Sequence, residues 1–133
     1  MRYFVYGTLL DHQVRQIVLG AAAASQLKET PARLYGYRCV TATGVTYPTL
    51  RRAPGGEVTG AILDGVSKEI AAKLADYEDD SYRVSTCTVA VEGRQVTARV
   101  FVPRGRPAGG PEWDFARWRK MHKSEFLKQI RGE

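Results

Sequence analysis

The chain opens on Arg2-Tyr-Phe-Val-Tyr6, an apolar and aromatic run that stops at Gly7. It predicts a buried first strand. Asp11 is placed to cap a short helix whose apolar positions are Val14, Ile17 and Val18, closed by Gly20. Ala21 to Thr30 carries no clear period. Ala32 to Ala42 reads as a strand interrupted at Gly36, and Val45 to Leu50 as another, whose Tyr47-Pro48 implies an edge or a bend. Pro54-Gly55-Gly56 predicts a turn, and Glu57 to Val66 the next strand. Ser67 opens a helix to about Glu78, with Glu69 near its positive end. Tyr82 to Val91 alternates in part, Glu92-Gly93-Arg94 is a hairpin turn, and Val96 to Val102 is the partner strand. Pro103 to Pro111 reads as an irregular loop, and Glu112 to Ile130 as a final helix.

Strands and long helices do not alternate strictly in this order, which argues against a doubly wound sheet. The pattern predicts an α+β fold on a small barrel or strongly curled sheet with flanking helices. At 133 residues the length predicts a single domain over 1–133, large enough to bury a core without staples.

Composition narrows the classes. Hydrophobic residues make up 44% and charged residues 26%, which excludes a disordered chain. No apolar run reaches the ~18 residues of a membrane span, and no leader follows Arg2, so cytoplasmic residence is the expectation. Cys39 and Cys87 read as reduced core residues, and Cys87, in mid-strand, as an inert thiol. The net charge is +6, but Arg51-Arg52, Arg104 with Arg106, and Arg117 to Lys123 form separate small groups. No aromatic-basic strand motif accompanies them, so the charge reads as a solvated basic surface rather than a nucleic-acid face.

Four acids, Asp76, Glu78, Asp79 and Asp80, fall within five residues. Such a run is ordinarily a solvated turn. Projected at ~100° per residue from Ile70, Leu74 falls near ~40° and Glu78 near ~80°, within the apolar arc. Asp76, Asp79 and Asp80 fall near ~240°, ~180° and ~280°, outside it. A carboxylate on an apolar face needs a partner or a raised pKa, and a raised pKa suits a general base near neutral pH. A structural glutamate bonded to backbone or to Arg83 fits the same projection. At the other end, Tyr6-Gly7-Thr8-Leu9 follows the first strand directly, and the successive amides of such a turn can form an anion-binding nest. A strand followed by glycine is also ordinarily just a turn.

Taken in order, these pieces resemble the gamma-glutamyl cyclotransferase-like family, which includes the plant avirulence-induced proteins and the gamma-glutamylamine cyclotransferases. The resemblance rests on Val5-Tyr-Gly-Thr-Leu9, Tyr47-Pro48, Gly56 to Gly60, Leu74-Ala-Asp-Tyr-Glu78, Tyr82-Arg83, and Trp118 with His122 and Phe126-Leu127. It implies a small mixed barrel, substrate held by the amides of Gly7, Thr8 and Leu9, and Glu78 as acid–base. It implies a small gamma-glutamyl substrate, release of 5-oxoproline, and no metal or organic cofactor. Tyr6, Tyr47 and Tyr82 are candidate cavity walls, although isolated aromatics in strands are ordinarily just core. The family's glutamate is ordinarily followed by glycine; here Asp79 stands in that place. The alternative is a non-catalytic module that keeps the cavity and holds a small ligand or a partner. His12, His122, Cys39 and Cys87 show no metal-ligand spacing, so no metal site is expected. His122 lies in an apolar stripe with Phe115, Trp118, Phe126 and Ile130, where a packing role is expected. The oligomeric state is not readable.

Overall fold

The computed structural model describes residues 1–41, 48–104 and 110–132. In chain order these form β1 (Arg2–Val5), a 3₁₀ turn (Thr8–Leu10), α1 (His12–Leu19), α2 (Ala21–Ser25), β2 (Lys28–Thr41) and β3 (Pro48–Asp64). There follow α3 (Lys68–Glu78), β4 (Tyr82–Val91), β5 (Arg94–Pro103), α4 (Phe115–Met121) and α5 (Lys123–Arg131). The strands close into a barrel in the order β1-β3-β2-β4-β5. Neighbours pair antiparallel except β1 and β5, which meet parallel at Tyr3 and Arg99. The fold is thus the mixed α+β barrel with flanking helices that the pattern predicts.

The apolar opening run has a physical reason, because β1 is covered on both faces. Phe4 and Tyr6 pack with Leu34, Val58, Ile62, Val89 and Val100, contributed by all the other strands, inside the barrel. Tyr3 and Val5 point the other way, into a second core with Val14, Leu19, Ile70, Leu74 and Trp118 of the helices. Gly60 lets these layers approach: a Cβ there would stand 2.3 Å from the Val5 carbonyl oxygen. Local capping holds as expected. Asp11 Oδ1 accepts from the Gln13 and Val14 amides, and Ser67 Oγ accepts from the Ile70 amide.

Three element boundaries differ from expectation. Pro54-Gly55-Gly56 does not separate two strands; β3 runs through it. Tyr35 faces Glu57 and Tyr37 faces Arg52, so Gly36 alone opposes residues 53–56 in a wide bulge. Gly36 and Gly55 take positive φ angles of 88° and 79° to accommodate it. Strand β2 starts at Lys28, and the stretch without a clear period holds the short α2. The final helix breaks at His122, whose φ of −126° leaves the helical range, and no glycine or proline marks the break. No helix among the described residues is long and apolar enough to cross a membrane.

Candidate active site

Where β1 leaves the barrel, the chain enters the 3₁₀ turn at one end of a cavity of about 440 Å³. Tyr6, Gly7, Thr8 and Leu9 line it from this side. Tyr77 and Glu78 line it from the last turn of α3, with Tyr82 from β4 and Phe101 from β5. Pro48, Phe126 and Ile130 complete the wall. Tyr47 lies outside the described residues.

Gly7 is required by close approach. A Cβ there would meet Pro48 Cγ at 2.7 Å, inside any tolerable contact. The turn itself uses the amides of Leu10 and Asp11, which donate to the Gly7 and Thr8 carbonyls at 3.0 Å each. The amides of Thr8 and Leu9, first in the turn, have no partner within it. Thr8 also contributes a side chain: its Oγ1 and the Tyr77 hydroxyl are 2.5 Å apart. This bond ties the loop to α3 one residue before Glu78. Tyr82 donates its hydroxyl to the Pro48 carbonyl at 3.1 Å, holding the wall that confronts Gly7. Tyr6 donates to the Phe101 carbonyl at 2.8 Å. Burial, reinforced by the charge of Glu78, lifts its phenol well above the ordinary tyrosine range, so Tyr6 is a neutral wall.

Glu78 is partly buried, whereas Asp76, Asp79 and Asp80 are exposed, as the helical projection expects. Among the described residues no cation forms an ion pair with Glu78 and no hydrogen bond reaches its carboxylate. Arg83 is exposed and does not pair with it. Burial, followed by the neighbouring charge of Asp79, pushes the Glu78 carboxyl up to about 7. Its place at the negative end of α3 acts in the same direction. Asp79 carries φ 57° and ψ −168°, a conformation that glycine adopts at little cost and other residues rarely do. The resemblance puts a glycine at this position, and the backbone geometry suits one.

The remaining candidates are placed elsewhere. Cys39 is buried with its Sγ 3.9 Å from the Tyr6 carbonyl oxygen, and burial pushes its thiol up to about 12. Burial pushes the Cys87 thiol up to about 11. Both are inert at neutral pH. His12 contacts Arg15 through Nδ1 at 2.9 Å, and His122 sits between α4 and α5. Among the described residues no group of three or more His, Cys, Asp or Glu side chains could hold a metal ion.

The residue pattern did not reveal three polar supports. Tyr77 touches Thr8, Arg15 touches Leu9 from beneath the loop, and Lys123 pairs with Asp11 at 2.7 Å. A tyrosine beside the candidate glutamate and an arginine amid the apolar positions of α1 were the available signals.

The chain has relatives that share this arrangement of elements. A family model described as gamma-glutamyl cyclotransferase, AIG2-like, matches residues 3–120. Protein AIG2 C of Arabidopsis thaliana is 30% identical over 132 residues, spanning 96% of this chain and 78% of the relative. A solution structure of an Arabidopsis thaliana protein superimposes with a TM-score of 0.70 at 28% identity, covering 98% of this chain and 79% of that one. A structure described as gamma-glutamyl cyclotransferase superimposes at 0.66 with 16% identity, covering 98% and 85%, a likeness of fold alone. With a family model matching most of its length, the chain belongs to the gamma-glutamyl cyclotransferase, AIG2-like family.

Proposed function

We propose that the protein is a gamma-glutamyl cyclotransferase in which Glu78 is the acid–base. The α-amine of a gamma-glutamyl group attacks its own γ-carbonyl, forming a carbon–nitrogen bond and closing a five-membered ring. The γ-amide bond breaks, and the products are 5-oxoproline and a free amine or amino acid. The α-ammonium must lose a proton before attack; Glu78 takes it and delivers it to the leaving nitrogen. Amides of the Gly7–Leu9 loop hold the substrate's α-carboxylate or the developing oxyanion. The cavity walls, including Tyr6 and Tyr82, keep the chain coiled so that amine and carbonyl meet. The step balances without a metal or organic cofactor.

The observation that carries this reading is the state of Glu78. It lines the cavity with no cation or hydrogen bond among the described residues, and its carboxyl is pushed up to about 7. A carboxylate kept for structure is paired, because an unpaired buried charge is costly. The test is a panel of gamma-glutamyl amines, gamma-glutamyl dipeptides and glutathione incubated with purified protein, scored for 5-oxoproline. Release from at least one class is expected. Saturable binding of these compounds with no 5-oxoproline from any of them would instead support a non-catalytic binding module.

A further inference from the structure

Beneath the Gly7–Leu9 loop lies a cation that the reaction scheme does not use. Arg15 of α1 is 4% exposed, among apolar neighbours such as Val14 and Leu19. Its Nη1 donates to the Leu9 carbonyl at 2.7 Å. Its Nη2 meets Glu29 Oε1, and His12 Nδ1 at 2.9 Å. A buried guanidinium is costly and is retained where its donors are matched. An apolar side chain would serve packing alone at this position.

The bonding of the loop shows what the arginine completes. Leu10 N–H donates to the Gly7 carbonyl and Asp11 N–H to the Thr8 carbonyl. Arg15 takes the third carbonyl, that of Leu9. The Leu9–Leu10 peptide is therefore held at both ends, by Arg15 at its oxygen and by Gly7 at its nitrogen. The Gly7 carbonyl shares its peptide plane with the Thr8 amide, and the Thr8 carbonyl shares its plane with the Leu9 amide. Every carbonyl of the loop is engaged, and the Thr8 and Leu9 amides, which have no partner within the turn, belong to peptides whose other ends are held.

We propose that Arg15 is a positioning residue of the active site. By gripping the Leu9 carbonyl, it sets the peptide planes of the Gly7–Leu9 loop, with Glu29 and His12 fixing the guanidinium. This inference rests on the reading of the loop as the substrate-binding element.

The experiment uses Arg15→Gln and Arg15→Lys in the full chain, with Val89→Ala, a barrel-interior truncation, as a destabilised control. Amide hydrogen exchange at Leu10 and Asp11 is followed by NMR. Exchange in Arg15→Gln is expected to be faster by about ten-fold or more through local opening, with Arg15→Lys intermediate and Val89→Ala at the wild-type rate. With an accepted gamma-glutamyl substrate, kcat/KM is expected to fall about 10²-fold in Arg15→Gln and to be partly restored in Arg15→Lys. If Arg15→Gln does not fold, Glu29→Gln is expected to give the same pattern at smaller size. Wild-type exchange at Leu10 and Asp11 in the Arg15 or Glu29 variants overturns the proposal. So does an equal loss of kcat/KM in a Val89→Ala protein of the same Tm. The exchange arm tests the grip of Arg15 on the loop even if wild type releases no 5-oxoproline, an outcome that would count against the functional reading instead.

Discussion

Asp11 and Glu78 are both carboxylates drawn out of water at the end of a helix, and they are treated in opposite ways. Asp11 caps α1, where the helix end is positive, and its oxygens accept two amides and pair with Lys123 at 2.7 Å and Arg119 at 3.5 Å. Burial pushes its carboxyl up, but the Lys123 and Val14 hydrogen bonds outweigh this and hold it below the usual aspartate value. Glu78 closes α3, where the helix end is negative, with Asp79 beside it and no cation among the described residues. Its carboxyl rises to about 7. Burial by itself therefore does not decide what a carboxylate does; its partners do. The satisfied one latches the site loop to the C-terminal helices, and the unsatisfied one is left able to exchange a proton.

Changes at each carboxylate should break this contrast in different currencies. The largest effect is expected at Glu78. Glu78→Gln keeps the shape but accepts no proton, and turnover of an accepted substrate should fall ~10²–10⁴-fold in a folded protein. The stability of this variant should also respond differently to pH. Folded Glu78 holds its proton more tightly than the unfolded chain does. Its contribution is therefore full below the ordinary value of 4.5 and is lost as pH rises through about 7. Melting curves across that window should fall more steeply with pH for wild type than for Glu78→Gln.

Asp11→Ala should leave the raised carboxyl of Glu78 in place but cost about 2 kcal/mol of stability in urea titrations, from the lost cap and the stranded Lys123. The sign of its pH dependence is reversed. Asp11's contribution is present above the ordinary 3.8 and is lost as pH falls through its lower folded value. Smaller again is Asp79→Gly, which sharpens the comparison. Relief of the positive φ should outweigh the lost Asp79–Ser81 hydrogen bond and the added chain entropy, stabilising by about 1 kcal/mol. Removing the neighbouring charge should also move the rising limb of the pH–rate profile to lower pH. Least affected should be Asp76→Asn and Asp80→Asn, exposed residues whose activity and Tm should stay close to wild type.

Local chemistry was legible in the chain. Asp11 and Ser67 announce their caps, and regular helical rotation separates Glu78 from the three exposed aspartates. The barrel followed from the order of strands together with a resemblance covering nearly the whole chain. What stayed hidden depends on partners distant in sequence. The register between Gly36 and residues 53–56 decides that a Pro-Gly-Gly run bulges instead of turning. The pairings of Asp11 with Lys123, Thr8 with Tyr77 and Gly7 with Pro48 exist only once the barrel and helices are assembled. The helix break at His122 carries no mark that residue type alone supplies.

The contrast is tested most directly by a carbon-13 NMR titration of the side-chain carboxyls of the full chain, with Glu78 and Asp11 followed in the same samples. Glu78 should titrate near 7 and Asp11 below the ordinary aspartate value of 3.8. A Glu78 midpoint at or below the ordinary 4.5 would contradict it.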